Sequence, residues 1–182
     1  PGEPITVKVH VVNNKAGYDF PTGPLDIIQA WVELQVTDET GAEVFHSGGV
    51  DEKNFIEPGS FLFKAEPVDQ YGNLIDRHNL WEMVGVRFRR TLFPGSEEVA
   101  PYTFDCSSVV QKGPSPTLKD ESLAVDIPRS ATGTLKVHAK LNYRKLDQYL
   151  LNFAFGEKSG LTAPVTIVST ADALIRVRDA PR

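Results

Sequence analysis

The sequence predicts an all-β fold, an antiparallel immunoglobulin- or fibronectin-like sandwich of eight or nine strands with one short helix near 145–155. Three observations predict it. Apolar and polar residues alternate with a period of two through most of the chain. Turn signals rich in Gly, Pro, Asp and Asn separate those segments at sandwich-like spacing. The 3.6-residue period of an amphipathic helix stands out in one place near the C-terminal end.

The first strand runs from Ile5 to Val12, with Ile5, Val7, Val9 and Val11 on one face and Thr6, Lys8 and His10 on the other. A turn punctuated by Gly17, Pro21, Gly23 and Pro24 delivers the chain into a long strand over 27–37. There Ala30, Val32, Leu34 and Val36 alternate with Trp31, Glu33, Gln35 and Thr37, the pattern of a half-buried strand. Asp38–Gly41 turns the chain back through Glu43, Val44 and Phe45. A loop holding Gly48, Gly49, Pro58 and Gly59 precedes a short strand marked by Phe61, Phe63 and Ala65. Residues 67–83 read as an irregular insertion anchored by Leu74, Ile75, Leu80 and Trp81. Val86, Phe88, Arg90 and Leu92 form an edge-type strand ended by Pro94 and Gly95, and a strand over Pro101–Asp105 follows. Residues 111–120 are loop by composition, and Leu123, Val125 and Ile127 alternate before Pro128. The cleanest alternation is Thr134–Tyr143, with Leu135, Val137, Ala139, Leu141 and Tyr143 on one face. Leu146, Tyr149, Leu150 and Phe153 then sit at helical spacing, so Lys145–Phe155 is a short helix closed by Gly156. Two terminal strands, Val165–Ser169 and Leu174–Val177, finish the domain, which spans 1–182.

At 182 residues the chain fits one domain and can bury about 70% of its unfolded surface, so neither metal nor disulfide is needed to hold it together. The net charge of −5 argues against a nucleic-acid binder, because phosphate binding needs clustered cations. The dense basic run Arg87, Arg89 and Arg90 reads as an exposed strand face. No apolar run reaches the roughly 18 residues of a membrane helix. The chain begins at Pro1 rather than Met and reads as a processed or excised piece. Cys106 is the single cysteine, so the chain makes no internal disulfide, and it has no CxxCH haem-attachment motif.

Several segments together carry a resemblance. They are NNKAGYDFPTGPLDIIQAWVELQV (13–36), HSGGVDEKNFIEP (46–58), DQYGNLIDRHNLWEM (69–83), LFPGSEEVAPYTF (92–104) and GTLKVHAKLNYRKLDQYLLNFAFG (133–156). In order and spacing the chain resembles the haem-free C-terminal β-sandwich domain of bacterial multihaem c-type cytochromes. The resemblance implies a non-catalytic scaffold or docking module in an electron-transfer assembly, periplasmic or extracellular. It also implies haem c in a partner domain or subunit, none of it covalently bound to this chain. The chain departs from that pattern at Tyr18, where the family has a His before FPTG. A tyrosine there is suited to lining a haem edge rather than ligating iron.

An adjacent haem makes each histidine a candidate axial ligand. His78, in the DRHNLW loop, is the expected ligand, with Asp76 as the carboxylate orienting its far ring nitrogen. His46 in HSGG, where glycines permit close approach, and Tyr18 are the further expected haem contacts. His10 and His138 read as solvated strand positions, and Met83 as a core filler. Asp69, Asn73 and Asp76 around Gly72 offer oxygens as a calcium loop does, without EF-hand spacing. Catalysis finds no support: there is no GxSxG elbow or glycine-rich phosphate loop, and Glu97-Glu98 and Asp120-Glu121 read as solvated charge. The rival function is an immunoglobulin-like adhesion or carbohydrate-binding module using Trp31, Trp81 and Tyr71 as an aromatic platform.

Overall fold

Nine strands and one α-helix appear in the computed structural model, which describes residues 4–105 and 133–177. The strands are β1 (Pro4–Val12), β2 (Gln29–Thr37), β3 (Glu43–Ser47), β4 (Phe61–Phe63), β5 (Ala65–Val68), β6 (Gly85–Arg89), β7 (Glu97–Asp105), β8 (Gly133–Arg144) and β9 (Thr166–Val177). Helix α1 spans Gln148–Phe155. The pairings are all antiparallel. One sheet runs β3-β2-β8-β9, with β4 beside β3 along the same edge of β2. A second pairs β1 with β7, and a third pairs β5 with β6.

Period-two sequences place the core between the first two sheets. Ala30, Val32, Leu34 and Val36 of β2 and Leu135, Val137 and Ala139 of β8 pack against Val11 of β1 and Ala100, Tyr102 and Phe104 of β7. The Tyr102 hydroxyl reaches back to the Val32 carbonyl at 3.4 Å, and Phe45 of β3 stacks on Phe104 with centroids 4.8 Å apart. This arrangement is the expected sandwich. The expected pair of terminal strands is one continuous strand, β9, whose pairing with β8 is unbroken across Ser169–Leu174 and has a bulge just before it, at Val168. The strand expected at Pro101 begins four residues earlier, at Glu97. Cys106, the 111–120 loop and the Leu123–Ile127 segment lie outside the described residues.

The outer face of β2 and β8 is also covered at one end. Trp31 is 0% exposed there, so it cannot belong to a surface aromatic platform. Its indole N–H donates to the Gly48 carbonyl at 2.9 Å. Gly48 is buried against β2, and a Cβ on it would meet the Val32 carbonyl oxygen at 2.4 Å. Its φ of +86° is also one that side-chain-bearing residues rarely adopt. Beside Trp31, the guanidinium of Arg144 donates to Gln29 Oε1 and to the Asn54 carbonyl, each at 2.6 Å. Helix α1 follows from the same corner, with its Asp147 cap accepting from the Leu150 amide at 2.8 Å. Gln148 and Leu151 are the buried residues of α1, whereas Tyr149 and Phe153 of the expected apolar face are exposed.

Candidate functional site

Two segments far apart in sequence meet at His78. The turn after Pro24, closed by the Ile27 and Ile28 amides on the Pro24 carbonyl, holds Asp26 just ahead of the start of β2 at Gln29. The 69–83 segment is pinned by the Ile75 amide on the Pro67 carbonyl, with the Ile75 side chain buried. His78 takes a left-handed backbone, φ 58°, and its Nδ1 lies 2.7 Å from Asp26 Oδ2. The Asp26 side chain is 4% exposed and that of His78 41%. Among the described residues no hydrogen bond involves His78 Nε2.

The orienting carboxylate is therefore Asp26 and not the expected Asp76, which pairs instead with Arg77 at 3.5 Å. A neighbouring carboxylate in sequence is a natural first choice; the true partner is 52 positions away, and only an acidic residue in the turn before a strand hinted at it. Arg77 reaches over the Phe153 ring of α1 at 5.0 Å, tying the loop to the helix. Asp147, just before α1, feels the charges of Arg144, Asp26 and Lys64. Burial pushes its carboxyl up to about 6, against the Leu150 amide bond and the Arg144 charge that lower it.

His46 of β3 sits in a different, partly buried polar network. Its Nε2 is 3.6 Å from Glu33 Oε1, and Glu33 also accepts from Lys140 Nζ at 2.8 Å and Asn142 Nδ2 at 2.7 Å. Burial alone would raise the Glu33 carboxyl, but the bonds from Lys140 and Asn142 outweigh it and hold the group below its ordinary value. The close approach that glycine permits at HSGG is used within the chain: a Cβ on Gly49 would meet both His46 and Glu57 at 2.8 Å. Tyr18 lies in the turn before FPTG with 62% of its surface exposed, beside an Asp19–Arg89 ion pair of 3.4 Å. The three expected contact residues thus occupy three separate neighbourhoods.

His10 and His138 each pair with an exposed carboxylate of the neighbouring strand, Glu97 on the diagonal and Asp172 directly opposite. Met83 is 47% exposed, which removes it from the core: the segment after the 3-10 turn of Leu80–Glu82 runs over the surface. Asp69 turns its oxygens inward on its own loop, accepting from the Tyr71 and Asn73 amides and the Asn73 side chain at 2.8–3.0 Å. No group of three or more His, Cys, Asp or Glu side chains able to hold a metal ion occurs among the described residues. A groove between β1 and β9, lined by Val9, Val12, Leu141 and Ala171, has a volume of about 110 Å³, small beside the ~300 Å³ and more of ligand pockets.

The fold and site define a β-sandwich domain that presents one buried-carboxylate-oriented imidazole. No protein-family model matches the chain, and no curated protein matches it. Among solved structures it is similar to a penta-haem cytochrome c552 from Thermochromatium tepidum, with a TM-score of 0.61 and 16% identity. That similarity covers 95% of this chain and 36% of the cytochrome chain, so the domain spans about a third of its neighbour's length. At this identity the likeness is one of fold. No helix among the described residues is long and apolar enough to cross a membrane.

Proposed function

We propose that this chain is a non-catalytic sandwich module that docks against, and holds in place, a haem-bearing cytochrome domain or subunit outside the cytoplasm. The observation that carries the proposal is a fold shared over 95% of the chain with part of a penta-haem cytochrome. The order of segments around FPTG, and an imidazole with one ring nitrogen anchored and the other open, support it. With a single cysteine and no CxxCH, the chain takes any haem c from a partner. Haem, when bound there, supplies one-electron transfer at an iron already held by its porphyrin. The fit of this chain to that group is a one-donor fit: His78 Nε2 offers an axial nitrogen, and no second metal ligand gathers around it among the described residues. Tyr18, 62% exposed, is the further side chain open to a haem edge, whereas His46 is engaged with Glu33. The remaining contribution is mechanical. Electron transfer depends on fixed spacing and limited solvent reorganisation, and a rigid wall of paired strands supplies both.

The test is a pyridine haemochrome assay with native mass measurement, expected to find haem copurifying with the 20.1 kDa haem-free chain. His78→Ala is expected to cost about 1–3 kcal/mol, because it leaves the buried Asp26 carboxylate without its partner, and in the folded variant to alter the spectrum or potential of the neighbouring haem. Native material without porphyrin sinks the proposal. Trp81 and Tyr71, 82% and 80% exposed, favour the adhesion or carbohydrate-binding alternative. Glycan binding lost on Trp81→Ala, in a preparation without haem, would establish it.

A further inference from the structure

We infer that Asp26 is the positioning residue of His78, holding the imidazole as its Nδ1–H tautomer so that Nε2 faces outward as the ligand atom for an axial haem position. The inference rests on the cytochrome-docking function proposed above. A carboxylate only accepts hydrogen bonds, so the ring nitrogen 2.7 Å from Asp26 Oδ2 must carry the proton. A neutral imidazole then has its lone pair on Nε2. Two other histidines also place Nδ1 beside a carboxylate, and burial separates them from His78. Glu97 and Asp172 are 46% and 75% exposed, where water competes for the imidazole, whereas Asp26 is 4% exposed. His46 is the reverse case, with Nε2 turned toward Glu33.

The backbone agrees with a held side chain. A left-handed φ at a non-glycine residue persists where its surroundings fix it. Here those surroundings are the Arg77–Phe153 contact on one side and the Asn79–Glu82 side-chain bond at 2.5 Å on the other. Because no cluster of three or more metal-ligating side chains exists among the described residues, a lone oriented nitrogen suits an iron already coordinated by a porphyrin better than a free cation.

Imidazole nitrogen NMR on the isolated chain at pH 8 tests the tautomer directly. The expected spectrum has a protonated Nδ1 and a bare Nε2 for His78, and Asp26→Leu mixes or reverses the two. Should Asp26→Leu fail to fold, Asp26→Asn, which keeps a neutral acceptor, is expected to give an intermediate spectrum. A haem c peptide with one open axial position then serves as the binding probe. Wild-type protein is expected to convert it to the low-spin spectrum, His78→Ala to lose that conversion, and Asp26→Leu to bind about 10–100-fold more weakly. Asp26→Asn is expected to lie between them. A protonated Nε2 in the wild type, or Asp26 variants binding as tightly as wild type, overturns the inference. If wild type and His78→Ala bind the probe alike while the tautomer is as expected, the haem assignment fails and Asp26 still sets the tautomer.

Discussion

The two faces of β2 and β8 are buried by different means. Toward β1 and β7 the contact is apolar, and Val32, Leu34, Val36 and Phe104 fill it without needing directional bonds. On the opposite face, at the Gln29–Arg144 end, burial is equally deep, but the side chains are Trp31, Gln29, Asn142 and Arg144. Each of these carries polar atoms that lose water on folding, and each is matched by a named partner. The apolar face tolerates changes that conserve volume. The polar face fails when either member of a bonded pair is removed, because the survivor stays buried.

The sharpest way to break this contrast is to empty both faces in turn. Trp31→Ala is expected to cost about 4 kcal/mol, as much as or more than Leu34→Ala on the apolar side, measured by urea denaturation. A cost under about 1 kcal/mol for Trp31→Ala means that the outer face is no second core. Next in size is Arg144→Met, which leaves Gln29 Oε1 and the Asn54 carbonyl without a donor. A loss of about 3 kcal/mol is expected. Arg144→Lys should recover little of it, since an ammonium cannot reproduce the planar fork.

Asp147 and Glu33 sharpen the comparison through pH, with opposite signs. The folded Asp147 value of about 6 lies above its ordinary 3.8, so the folded protein binds this proton more tightly than the unfolded chain. The stability this confers is full below about pH 3.8 and is lost as pH rises through about 6. Asp147→Asn keeps a helix-cap acceptor without the titration, so the variant should match wild type near pH 4 and exceed it by about 2 kcal/mol at pH 8. Coincident urea midpoints across that range would refute it. Glu33 is held below its ordinary 4.5, so its contribution is present above that pH and fades as pH falls through the lowered value. Glu33→Gln should therefore lose the most at neutral pH, by under about 1 kcal/mol because the group is still partly solvated and Gln keeps an oxygen to accept from Asn142.

Alternation made the apolar face legible. The core residues of β2 and β8 fall at alternate positions, and one register explains them all. The covered outer face was not legible, because the same alternation assigns Trp31 to solvent. What buries it, the 48–57 loop and the corner leading into α1, is tertiary. The small and polar run Ser169–Ala173 hid the continuity of β9, whose pairing is carried by main-chain bonds. The helix was visible by period, but its start was displaced to the Asp147 cap, and its aromatics at 149 and 153 point outward. At the candidate site, His78 and the need for a carboxylate were readable. Asp26 was not, since nothing local links residues 26 and 78.

Among the described residues β9 packs only the partly buried Ile175 and Val177 against the core and is joined to the domain chiefly through β8. A strand held mainly by ladder bonds, with little packing, detaches early in native-state fluctuations. Amide deuterium uptake should therefore run ahead in Thr166–Val177 while the β2 amides opposite β8 stay protected, so that this flank opens while the domain as a whole remains folded.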